Sequence, residues 1–169
     1  MKPKIALLSA LLLLAVGVQA QIAIGKDNVE GSALLDFETA GNTRGIILPA
    51  VTTLPAEVNG TFVFDTADRK VKVFENGTWK ELSEAGNLNQ LNMTHLNAAS
   101  EDGEGTIIGA ATSTADGVLV LESPDKALVL PKIASPHLNV ASPYPGMICY
   151  DTDAQAVAVF NGSQWYFWK

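Results

Sequence analysis

Between Gly60 and Trp79, hydrophobic and polar residues change places over short runs, with the periods of strands and turns. Thr61-Phe62-Val63-Phe64 is β-branched and aromatic, the composition of a strand. Asp65-Thr66-Ala67-Asp68 follows as turn chemistry, because short polar side chains bond the nearby backbone. Val71-Lys72-Val73 alternates as a half-buried strand does. Asn76-Gly77 then offers the two left-handed positions of a tight hairpin turn, and Trp79 opens the next strand. The pattern predicts a three-stranded meander.

The same pattern returns between Gly146 and Trp165. At a constant offset of 86 the identities are Gly60/Gly146, Asp65/Asp151, Thr66/Thr152, Val71/Val157, Val73/Val159, Phe74/Phe160 and Trp79/Trp165. Asn161-Gly162 is expected to copy the Asn76-Gly77 turn. Upstream, Leu34–Phe37 and Gly45–Leu48 add strands, and Leu119–Leu121 and Leu128-Val129-Leu130-Pro131 resemble them in repeat two. Pro49 and Pro131 stop those strands or hold them at an edge. The expected organisation is a leader over 1–20, β repeat one over 21–82, a connector over 83–105 and β repeat two over 106–169. The connector holds NLNQLNMTHLN at 87–97, whose leucines suit at most one short helix while its asparagines oppose it. The expected fold class is all-β, two tandem repeats of short antiparallel strands.

The leader reads as a signal peptide. Lys2 and Lys4 precede the apolar run from Ile5 to Val18, and Ala20 is a small residue at the expected cut. The run is shorter than the ~20 apolar residues of a membrane span. No second such run follows, so the mature chain is expected to carry no transmembrane anchor.

Composition narrows the partners. The formal net charge is −7 at pH 7 and no basic run occurs, so nucleic acid, which is bound by neutralising phosphates, is not an expected partner. A hydrophobic share of 47% with 17% charged residues opposes wholesale disorder. A single repeat of about 60 residues is marginal alone, and the chain has one cysteine and so no intrachain disulfide. The repeats must therefore pack on each other, or copies of the chain must pack together.

Candidate chemistry is sparse. Asp65-Thr66-Ala67-Asp68 and Asp151-Thr152-Asp153 cluster carboxylates, as calcium loops and acid/base pairs do, but the calcium-loop alternation is absent and turn formation accounts for the same residues. His95 and His137 lie in unrelated contexts without metal-ligand spacing. No nucleophile elbow or phosphate loop occurs. Catalytic, metal and cofactor residues are thus expected to be none. Asn59, Asn76, Asn92 and Asn161 head sequons, three of them explained by turns. Cys149 matches Val63 of repeat one, which favours a buried, inert thiol over an intermolecular disulfide or a reactive group.

The chain closes with Trp165-Tyr166-Phe167-Trp168-Lys169 where repeat one has the amphipathic Trp79-Lys80-Glu81-Leu82. In a strand Trp165 and Phe167 point one way and Tyr166 and Trp168 the other. Three readings stand: a glycan-stacking platform, a partner interface, in which Tyr and Trp are enriched, or a strand sandwiched between the repeats.

Ala23-Ile24-Gly25, Leu35-Asp36-Phe37, Arg44-Gly45-Ile46-Ile47-Leu48-Pro49, Phe64-Asp65-Thr66 and Phe74-Glu75-Asn76-Gly77-Thr78-Trp79, with their repeat-two counterparts, resemble a repeat of secreted Bacteroidota proteins and phage-fibre-like proteins. Ala50 and Lys132 stand where its usual form has Pro-Arg. The resemblance implies a β-rich, non-enzymatic stalk or surface module that assembles as a homotrimer, secreted or held at the outer surface of a Gram-negative bacterium, with the periplasm as the other site. Its partners would be copies of itself, another surface protein or a glycan. Asp65-Thr66-Ala67 also resembles the O-glycosylation signal of Bacteroidota, which makes Thr66 a candidate acceptor.

Overall fold

The computed structural model describes residues 21–91, 105–115 and 117–169. The leader, His95, Asn92 and most of the expected connector lie outside the described residues. Repeat one forms β1 (Ile22–Ile24), β2 (Ala33–Phe37), β3 (Ile46–Ile47), β4 (Ala50–Val51), β5 (Phe62–Asp65), β6 (Lys70–Glu75) and β7 (Thr78–Glu81). Repeat two forms β8 (Thr106–Ile108), β9 (Leu119–Leu121), β10 (Ala127–Leu128), β11 (Lys132–Ile133), β12 (Met147–Asp151), β13 (Ala156–Phe160) and β14 (Trp165–Trp168). The one helix among the described residues is α1 (Pro136–Asn139). The fold is all-β and the strands fall in the same order twice.

Both meanders form. β5-β6-β7 and β12-β13-β14 are antiparallel, with Phe74 opposite Trp79 and Phe160 opposite Trp165. Each of these two ring pairs has its centroids 5.3 Å apart, a contact worth ~0.5–1.5 kcal/mol beyond area burial. The turn before β6 and β13 places Arg69 and Gln155, at the same repeat position, at φ +63° and +52°. Neither residue type advertises a left-handed position, so this shared turn geometry is invisible in the letters.

Two expectations are corrected. First, the strands are not all antiparallel: β1·β2, β10·β2, β4·β5, β8·β9 and β11·β12 are parallel. Parallel neighbours need a crossover between them, and residues 25–32 supply it between β1 and β2. Second, Asn76 and Gly77 both have positive φ, as a type I′ turn requires, but Asn161 does not share that conformation. Asn161 is buried, accepts from the Ser163 and Gln164 N–H groups through Oδ1, and donates through Nδ2 to Glu84 O. A wider loop, 161–164, therefore joins β13 to β14. The described start of the connector is packed. Leu88 and Leu91 lie against the core, and Gly86 sits so close to Asn161 that a Cβ there would stand 1.7 Å from Asn161 O.

The two repeats exchange strands. β10 of repeat two joins β2 of repeat one, and β3 of repeat one joins β12 of repeat two. The core lies between the two meander sheets, around Phe64 and Val71 of one and Ile148 and Val159 of the other, with Leu48, Leu82 and Tyr166 against it. A smaller cluster of Ile133, Cys149 and Ala158 fills the other face of the repeat-two sheet under Val140 and Trp165.

Candidate assembly interface

β14 is the edge strand of its sheet. Alternation divides its aromatics as expected. Trp165 packs on the Ile133–Cys149 cluster and Tyr166 on the inter-repeat core. Phe167 meets His137 edge-on at 6.1 Å. Trp168 donates its indole N–H to Leu82 O of repeat one at 2.7 Å. Phe167 and Trp168 remain exposed. The strand is thus buried at its start and open at its end, with one exposed ring on each face.

The aspartates are turn anchors. Asp151 Oδ1 accepts the N–H groups of Ser135, Asp153 and Ala154. Asp65 Oδ1 accepts Ala67 N–H, and its Oδ2 meets Lys72 Nζ at 2.8 Å. Among the described residues no group of three or more metal-ligating side chains converges. Thr66 is buried, and its Oγ1 donates to Val51 O at 2.9 Å. A sugar on that oxygen would have to replace the bond.

A second ionic cluster ties the first crossover to repeat two. Lys26 bonds Asp36 at 2.7 Å and Glu30 at 3.3 Å, and Lys132 bonds Glu30 at 2.6 Å. Burial pushes the Asp36 carboxyl up, but Lys26 and the N–H groups of Glu30 and Phe37 hold it below its ordinary value. The ammonium of Lys132, then that of Lys26, does the same for Glu30.

Cys149 is fully buried, and burial, then the charge of Asp151, pushes its thiol up to about 12. Thiolate is the reactive form. The folded protein is therefore expected to resist Ellman's reagent at mildly alkaline pH and to yield its single thiol only in denaturant. Rapid reaction of the native protein would mean the strand opens readily.

Residues that sequence reasoning missed are exposed apolar ones: Ile47 on β3, Phe62 at the start of β5, and Val118 and Leu119 at the start of β9. Their signal lies in the repeat comparison. Phe62 corresponds to the buried Ile148, and Leu119 to the buried Leu35. Two open depressions mark the surface, one lined by Leu128, Val129, Leu130, Lys132 and Tyr150, the other by residues including Arg44, Ile47, Val140 and Met147. Both linings are largely aliphatic, suited to packing rather than to proton transfer.

Residues 107–169, which run from β8 to the end of β14, match the family described as phage tail like trimerisation region. No curated protein and no solved structure matches the chain. No helix among the described residues is long and apolar enough to cross a membrane.

Proposed function

We propose that the chain is an exported structural protein that assembles through its β repeats into a fibre-like homotrimer and serves at the bacterial surface as an adhesive or stalk element, without catalytic activity. The observation that carries this reading is the similarity of residues 107–169 to a trimerisation region. The duplication extends the reading to repeat one, whose strands repeat those of the matched segment in order. The exposed apolar edges support it physically, because open strand edges invite pairing with another chain. The mechanism is edge pairing and apolar packing, with Phe167 and Trp168 as contact residues. A flat sugar-stacking platform is less favoured, since these two rings lie on opposite faces of one strand.

The test is the solution mass of residues 21–169 by light scattering after size exclusion. The expected result is about three times the chain mass, unchanged over a wide dilution range. A monomer would overturn the assembly reading and return the exposed aromatics to the glycan alternative.

A further inference from the structure

The duplication supplies a template for an intermolecular contact, and the inference drawn from it rests on the assembly reading above. In repeat one, β2 is the central strand of a three-stranded parallel sheet, with β1 on one edge and β10 on the other. Val129 N–H donates to Leu35 O at 3.0 Å across that second edge. In repeat two the counterpart sheet has two strands among the described residues, β8 and β9. The registers align the two sheets: Ile22 faces Leu35 as Thr106 faces Leu119. Glu38 N–H bonds Ile24 O as Glu122 N–H bonds Ile108 O. Among the described residues the same strand is thus covered on its second edge once and left without a strand there once. Leu35 is 3% exposed and Leu119 is 45% exposed.

The strand that corresponds to β10 is β3, since Gly45-Ile46-Ile47-Leu48-Pro49 aligns with Ala127-Leu128-Val129-Leu130-Pro131. One edge of β3 is used: Leu48 N–H donates to Gly146 O, alongside β12. Backbone groups alternate between edges along an antiparallel pair, so the Ile47 N–H is aimed at the other edge. This is the position of Val129, whose N–H makes the template bond. On β9, Thr106 N–H takes Val118 O, so the next carbonyl, that of Leu119, faces the bare edge. Ile47 itself is 44% exposed. Donor, acceptor and apolar cover are each in place on one chain, at two separate edges.

We propose that the bare edge of β9 is completed by β3 of a second copy, in parallel, with Ile47 N–H of one chain donating to Leu119 O of the next. Each chain then gives one strand edge and receives one. Such head-to-tail contacts form a closed ring when the rotation closes, and an open filament when it does not. A ring leaves neither edge exposed.

The first test is Ile47→Pro in the full chain. Proline removes only the N–H that faces away from β12, a substitution that strand edges tolerate. The expected result is a drop from the trimer mass to one third of it, with the far-ultraviolet β signal retained. A trimer that persists in Ile47→Pro overturns the strand pairing and leaves the trimer reading intact, whereas a monomeric wild type overturns the trimer reading itself. Should Ile47→Pro not fold, the pairing is tested by denaturing the single variants Ile47→Cys and Leu119→Cys together, refolding the mixture and adding a short bis-maleimide, with the buried Cys149 silent. Covalent heterodimers across the mixture support the contact. Their absence from a mixture that is trimeric by light scattering overturns it.

Discussion

Phe64→Ala is expected to destabilise the protein by about 3–5 kcal/mol. Phe64 is fully buried, between the two meander sheets, and shares its cluster with Val71 of its own repeat and with Ile148 and Val159 of the other. Gly146 abuts it so closely that a Cβ there would lie 3.1 Å from Phe64 Cβ, so the backbone can collapse little into the space vacated. A cost of that size is a large part of the roughly 5–15 kcal/mol that holds a domain folded. It corresponds to a fall of about 10 °C in melting temperature for a chain of this size. Phe62→Ala, two residues along the same face but exposed, is expected to cost about 1 kcal/mol. Both are read by urea melts at one fixed protein concentration, because assembly makes stability concentration-dependent. A single shifted transition means the repeats share one core. Two transitions, only one of them shifted, would mean each repeat folds on its own.

How far these features were legible in the sequence depends on how local their cause is. The meanders were legible because each hairpin carries its own turn chemistry, and Asn76-Gly77 has the two positive φ angles its letters suggest. Asn161-Gly162 misled because the same two letters sit one position earlier in the repeat, and the Asn161 amide is drawn into a bond to Glu84 O from outside the hairpin. The strand exchange was not legible. β3 and β10 are strands of two residues each, too short to show alternation, and their partners are chosen by tertiary packing. The C-terminal aromatics were correctly split between two faces by alternation alone. The Trp168 bond to Leu82 O requires knowing which sheet lies opposite. The open edges are a third case: the letters of Leu35 and Leu119 agree, and among the described residues only the count of strands around them differs.

The same logic of unequal repeats makes Lys72 the most consequential charge. Lys72 is buried at the position where repeat two has Ala158. Its Nζ lies 2.8 Å from Asp65 and 2.5 Å from Asp68. In repeat two the aspartate equivalent to Asp65 is satisfied by three backbone N–H groups instead, so no cation is required there. Lys72→Ala removes the ammonium and leaves two carboxylates facing each other, one oxygen of Asp68 being buried and already without a partner. Breaking such a buried set is expected to cost about 3–5 kcal/mol. The double variant Asp65→Asn/Lys72→Ala is expected to recover part of that loss, since residues in one network couple. Burial pulls the Lys72 ammonium down, but the two carboxylates raise it further, so it titrates above its ordinary value. Its contribution is therefore complete below about pH 10.4, the value of the unfolded side chain, and is lost as pH rises through the higher folded value. Wild type should lose stability on strong alkalinisation by a step that Lys72→Ala lacks, read from urea melts across the alkaline range. A cost below about 1 kcal/mol for Lys72→Ala, the range of a surface pair, together with no difference in alkaline slope, would mean that water reaches this cation and that the repeat-one turn is held by its backbone alone.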